Sequence, residues 1–184
     1  TWAFFETFLG PDDHWLPPDN YQEHPIGVIA HRTSPTNMGL ALLANVSAYD
    51  FGYISAGRLV ERTANTLDTM DGLERYCGHF YNWYDTQSLT PLFPLYVSAV
   101  DSGNLAGHLL VLRAALAELA DEPIVGRRLF HGLSAALQVL ADLSRDTVHA
   151  KAATELHEII GKVLNTPPAT LAAAQEYLRQ LADC

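Results

Sequence analysis

The run Asp101-Ser102-Gly103-Asn104-Leu105-Ala106-Gly107-His108-Leu109-Leu110-Val111-Leu112-Arg113-Ala114-Ala115-Leu116-Ala117-Glu118-Leu119 places leucines at 105, 109, 112, 116 and 119. Steps of four, three, four and three line up one face of an α-helix and fit no strand. Asp101 or Ser102 supplies the capping oxygen that such a helix needs at its start. Downstream the same period returns after a break at Asp121-Glu122-Pro123. Leu129, Leu133, Leu137 and Leu140 mark one helix, and Val148, Ala152, Leu156, Ile159 and Val163 another. Pro167-Pro168 opens a last one, with Leu171, Leu178 and Leu181.

Upstream, Trp2 to Leu9 reads as a short helix stopped by Gly10-Pro11. Ser34-Pro35 reads as a cap followed by proline at the first helical position. The segment Pro35 to Tyr49 is apolar nearly all round, the pattern of a helix buried on most sides. Gly52 breaks it. Ser55 caps a further helix over about residues 56–76, with Val60, Ala64, Leu67 and Met70 as its stripe. The expectation is an all-α chain of about seven helices arranged as antiparallel hairpins, forming a single domain over 1–184. A short ribbon between Gly78 and Tyr84 is the one place for extended backbone.

Connection lengths alternate. Residues 10–34 and 77–100 form long irregular links, while the links between the second and third helices and between the fourth and fifth are short. Short links join antiparallel neighbours, so both long loops emerge at the same end and share one rim. Loops beyond about 12–15 residues in a compact domain are commonly functional or disordered. Their Trp, Tyr and Pro content favours order.

The chain has 184 residues, 48% apolar and 17% charged, which excludes a disordered polypeptide. Its net charge of −10 argues against nucleic acid, which demands a basic surface. The charge is uneven: 12 acids face four arginines up to residue 110, against nine acids and seven bases afterwards. Sixteen of the 18 aromatic residues lie before residue 97. Two cysteines, Cys77 and Cys184, build no disulfide framework, and a reducing compartment is the simpler expectation. No stretch reads as a leader or a membrane span. The chain begins without Met, inside an aromatic run, so it is expected to be part of a longer polypeptide.

The first loop and its continuation contain Trp15, Tyr21, Glu23, Arg32 and Asn37; the second and its continuation contain Trp83, Tyr84, Asp85, Asp101 and Asn104. Flat rings beside short carboxylates, amides and an arginine suit a sugar, whose C–H faces stack and whose hydroxyls take bidentate partners. Carboxylates there also supply acid and base for glycosidic chemistry. The same residues have plainer uses. Aromatics pin proline-rich loops to a core, and Asp and Asn close turns and cap helices. Composition alone leaves both readings open. Four of the eight histidines (His14, His24, His31, His79) fall on the rim, yet no zinc-type spacing occurs, and no metal or cofactor is expected. His149 and His157 read as solvated positions on a polar helix face. Nucleophile elbows, phosphate loops and dinucleotide fingerprints are absent from the sequence.

Several strings resemble the cyclic β-1,2-glucan synthases. They are WAFFETF from Trp2, WLPPDNYQE from Trp15, AHRTSPTN from Ala30, Asp50-Phe51-Gly52, GHFYNWYDT from Gly78 and YVSAVDSGNLAGH from Tyr96. The resemblance covers roughly residues 1–115; residues 116–184 read as generic helix. Those synthases are large bacterial inner-membrane proteins joining a UDP-glucose glucosyltransferase region, a glycoamylase-like region and a phosphorylase-like region. The resemblance implies the start of the glycoamylase-like, (α/α)6-type region, which cyclises linear β-1,2-glucan by transglycosylation with retention. It also implies about half of that barrel, with two long loops on one rim, in a soluble part of the protein on the cytoplasmic side.

By that resemblance β-1,2-glucan oligosaccharide and other regions of the parent chain are the partners. Trp15, Tyr21, Trp83 and Tyr84 become stacking platforms, and Arg32, Asn37, Asp85, Asp101 and Asn104 hold hydroxyls. Glu23, Asp85 and Asp101 are the candidate catalytic acids. A later YYDLLASEAR-type run of the family is absent, so a second catalytic carboxylate is expected beyond Cys184 and the piece alone is expected to be inactive. Half a barrel exposes apolar faces, so self-association is expected. The alternative is a non-catalytic helical interaction module that packs on other regions of the parent.

Overall fold

The computed structural model describes residues 2–123, 126–143 and 150–183. Among them are seven helices: α1 (Trp2–Phe8), α2 (Pro35–Asp50), α3 (Ala56–Gly72), α4 (Ala99–Leu119), α5 (Arg127–Leu143), α6 (Ala150–Asn165) and α7 (Leu171–Ala182). Val148, His149 and Cys184 lie outside the described residues. Three two-residue antiparallel ribbons complete the chain. β1 (Tyr21–Gln22) pairs with β2 (Val28–Ile29), β3 (Arg32–Thr33) with β6 (Tyr84–Asp85), and β4 (Arg75–Tyr76) with β5 (His79–Phe80). The all-α expectation thus describes the body but not the loops. Long loops laid against a protein must pair their amides somewhere, and these do so as ribbons.

Contacts divide the chain into two compact units, Thr1–Ser47 with Gly57–Ala120, and Ala48–Ala56 with Asp121–Cys184. In the first unit, Met38 and Leu42 of α2, Met70 of α3, and Leu105 and Leu112 of α4 meet Leu16, Leu73 and Tyr84 in one buried cluster. Fully burying a side chain of this size contributes about 1.5–3 kcal/mol. The α4 stripe behaves as its spacing predicts: Leu105 and Leu112 are buried, and Leu109 and Leu116 pack against the cluster. The start of α4 is earlier than expected. Ser98, not Asp101 or Ser102, is the cap, and its hydroxyl accepts from the Asp101 amide at 3.1 Å. Asp101 is therefore a first-turn residue, free to turn its carboxylate elsewhere.

The stripe on α3 also differs. Val60 is half exposed, whereas Leu59, Arg62, Thr63, Thr66 and Met70 are buried. Arg62 and Thr66 occupy this face because hydrogen-bond partners await them. Arg62 donates to Asn45 Oδ1 at 3.0 Å and to the Phe5 carbonyl at 2.7 Å, and its guanidinium lies over the rings of Trp2 and Trp15. Burial, reinforced by the neighbouring Arg58 charge, lowers the Arg62 pKa. Gly39 brings α2 close to α4, since a Cβ there would overlap His108.

In the second unit α5 packs on α6 and α6 on α7. Phe130, Leu137, Ile160, Val163 and Ala174 are its buried apolar residues. Of the expected stripes, Leu133, Leu140, Leu171 and Leu178 instead stand exposed. The last helix begins not at Pro167-Pro168 but after Thr170, whose hydroxyl caps it by accepting from the Ala173 amide. Gly52, at φ +74°, lies directly against Gly132 of α5, an approach that leaves no room for a side chain at either position.

Candidate functional site

The two long loops meet through the β3–β6 ribbon, in which Arg32 faces Asp85 and Thr33 faces Tyr84. The pairing continues into the Thr86 amide, which donates to the His31 carbonyl at 3.1 Å. A buried carboxylate reinforces the junction. Asp13 Oδ1 accepts from the Thr86 hydroxyl and lies 2.7 Å from His31 Nδ1. His14 Nδ1 meets the Thr86 carbonyl at 3.0 Å. The first loop is tied in turn to α3, where the Thr66 and Thr69 hydroxyls donate to the carbonyls of Trp15 and His14.

On the open side of this junction, Arg32 lies over the Trp83 ring, 4.8 Å from its centroid, a cation–π geometry. Asp19 orients the guanidinium, accepting from Arg32 Nε and Nη2 at 3.2 and 2.9 Å. Asn37 donates to the other Asp19 oxygen at 3.3 Å. Arg32, Asn37 and Trp83, named separately from the sequence, are thus brought together. Asp19, which assembles them, was missed. Its place in the WLPPDNYQE string offered only a turn-like Pro-Asp-Asn signal.

A second network starts at Asp101. Its Oδ1 accepts from the Thr36 hydroxyl at 2.7 Å, and Asn104 donates to the same hydroxyl at 3.1 Å. In the amide orientation that satisfies both its ends, Asn82 donates to Asp101 Oδ2 at 2.9 Å. Its carbonyl then accepts from Trp83 Nε1 at 2.7 Å and from the Tyr96 hydroxyl at 2.6 Å. Burial works against the Asp101 charge, yet hydrogen bonds from Ser98, Thr36 and Ser34 outweigh it and hold the carboxyl below its ordinary range. The Asp85 carboxyl is also held low, first by the Ser88 amide, against the opposing effect of burial, and then by the Gln87 amide and Ser88 hydroxyl. Carboxyls held low in this way suit hydroxyl binding or electrostatic work.

The remaining sequence-predicted residues lie elsewhere. Glu23 is exposed in the connection between β1 and β2. Tyr21 packs on Phe8, with ring centroids 5.0 Å apart. Trp15 is stacked by Arg58 and Arg62 of α3. Tyr84 corrects the expectation of a stacking platform. It has no exposed surface, and its hydroxyl donates to the Glu74 carbonyl at 2.7 Å while accepting from the Tyr81 amide at 2.8 Å. A ring enclosed on both faces is core.

Among the described residues no group of three or more His, Cys, Asp or Glu side chains is placed to hold a metal ion. A cavity of about 320 Å³ lies in the second unit, lined in part by Tyr49, Gly52, Glu122 and Arg128. Of its lining charges, Arg128 pairs with Glu122 and also with Asp50.

No family model matches the chain. Over 123 residues it is 48% identical to the cyclic beta-(1,2)-glucan synthase NdvB of Rhizobium meliloti (strain 1021), a match covering 67% of this chain and 4% of that relative. The chain corresponds to a small segment of a much larger polymer synthase. It belongs, as a fragment, to the cyclic β-(1,2)-glucan synthase family. No helix among the described residues is long and apolar enough to cross a membrane.

Proposed function

We propose that this chain contributes part of the glucan-binding groove of the cyclising, glycoamylase-like region of a cyclic β-1,2-glucan synthase. The observation that supports the reading best is the Arg32–Trp83 stack, oriented by Asp19 and joined by Asn37. Half of the Arg32 side chain remains exposed, so a preorganised planar donor faces solvent where a sugar hydroxyl would arrive. Asp101 and Asn104 extend the polar surface. The chain alone does not turn over glucan in this reading. Retaining chemistry needs two carboxyl groups about 5–5.5 Å apart, one of them a proton donor. Hydrogen bonds hold the Asp85 and Asp101 carboxyls low, which disfavours either as that donor, and Glu23 is exposed in the connection between β1 and β2. The segment belongs to a non-spanning part of an inner-membrane synthase, on its cytoplasmic side.

Titration of β-1,2-glucooligosaccharides up to millimolar, followed by Trp fluorescence and calorimetry, tests the reading. Binding by the parent chain and its loss in Trp83→Ala are expected. No fluorescence change and no heat in the parent chain would remove it.

A second reading, a non-catalytic module packing on other regions of the parent synthase or on a second copy, is favoured by a different observation. The outer face of α4 leaves Gly103, Ala106, Gly107, Leu110 and Val111 exposed, and Leu110 retains 66% of its surface. The direct pairing of the two loops fits this reading too. Self-association at high concentration, removed by Leu110→Glu, is its expected signature.

A further inference from the structure

Arg32 lies over one face of the Trp83 ring and takes that face from a sugar, which calls for a second stacking surface. Tyr96 supplies it. It lies outside the residues that the loop composition singled out, in the segment leading into α4. Tyr96 keeps 47% of its surface exposed, while its hydroxyl is bonded to Asn82, itself only 6% exposed. Two bonds hold it: the hydroxyl to the Asn82 carbonyl at 2.6 Å, and the Asn82 amide to the Tyr96 main-chain carbonyl at 2.9 Å. The same Asn82 oxygen accepts from Trp83 Nε1 at 2.7 Å, so Tyr96 stands beside the Arg32–Trp83 stack. A half-exposed ring held at its hydroxyl loses little freedom when a ligand lies on it.

We propose that Tyr96 is the stacking platform of this site, taking the apolar face of a hexose ring whose hydroxyls reach Arg32 and the Asp101 side of the network. The proposal rests on the glucan-binding reading and assigns it a residue. Its test uses the whole chain and a β-1,2-glucooligosaccharide of defined length. Tyr96→Ala should weaken binding roughly tenfold or more, as expected for removing an aromatic stacking partner. Tyr96→Phe keeps the ring and should lose far less. On the unaltered chain with ring-labelled tyrosine, the Tyr96 ring resonance should shift as glucan is added. This measurement stands even where Tyr96→Ala fails to fold. Wild-type affinity in a folded Tyr96→Ala, or a Tyr96 resonance that stays still while glucan binds, overturns the platform and leaves the glucan reading intact. A parent chain that binds no glucan overturns both.

Discussion

Thr86 donates its hydroxyl to Asp13, a residue 73 positions earlier, and that bond helps fasten a turn of the first long loop to the second. Both partners are buried, Thr86 completely and Asp13 to within 6%. The carboxylate is left with two donors, Thr86 and His31, where a solvated one would have water on every side. The Arg32–Trp83 stack is built on this fastening, because Arg32 and Trp83 come from the two loops that it joins.

Thr86→Val keeps the shape and deletes the donor. Leaving a buried carboxylate one bond short costs about 1–3 kcal/mol. The urea midpoint of the chain should fall accordingly, and Thr86→Ser should recover most of it. A Val variant as stable as the parent would show that the bond contributes nothing.

Tyr84→Phe removes a hydroxyl that bridges the Glu74 carbonyl and the Tyr81 amide. A loss of about 1–3 kcal/mol is expected. Glucan affinity of the folded fraction should not change, because the ring has no surface to offer. An altered affinity at unchanged stability would return Tyr84 to the binding site.

Asp101 gives a pH dependence of definite sign. Its folded pKa lies below the ordinary 3.8, so the stabilisation it carries is complete above that value and fades as pH falls through the folded pKa. Asp101→Asn should be less stable than the parent at pH 7. The gap between their urea midpoints should narrow only below about pH 4. A gap that stays constant down to pH 3 would mean that the charge is irrelevant.

Two glycines predict opposite outcomes for the same substitution. Gly107→Ala, on the open face of α4 with nothing nearby, should stabilise the helix by about 0.5–1 kcal/mol. Gly39→Ala gains the same helix term but drives a Cβ into His108 near its own Cβ, which has little room to yield. Overpacking of this kind costs about 1–3 kcal/mol and should prevail. Thermal melts of the two variants, displaced in opposite directions, are the check.

Much of this molecule is written locally. The leucine spacing over 105–119, the Ser34-Pro35 start and the Gly52 stop each act within one or two helical turns, so the helices are legible in the chain. The alternation of long and short links led to loops sharing a rim, and the β3–β6 ribbon joins them. The strings of the first 115 residues pointed to the synthase family, and a 48% identical relative bears that out.

What the tertiary structure alone decided is which side of each residue faces water. A two-residue strand has no period to detect, and its partner lies about fifty positions away, so the pairing of Arg32 with Asp85 left no trace in sequence. Asp13, Arg62 and Thr66 are buried outside any apolar pattern, because burial of a polar group is permitted only by partners brought from other segments. Tyr84 and Tyr96 are the same residue type, twelve positions apart in one aromatic loop. One is sealed in the core and the other is bare, because the Glu74 carbonyl and Tyr81 amide take the hydroxyl of the first, and Asn82 holds only the tip of the second.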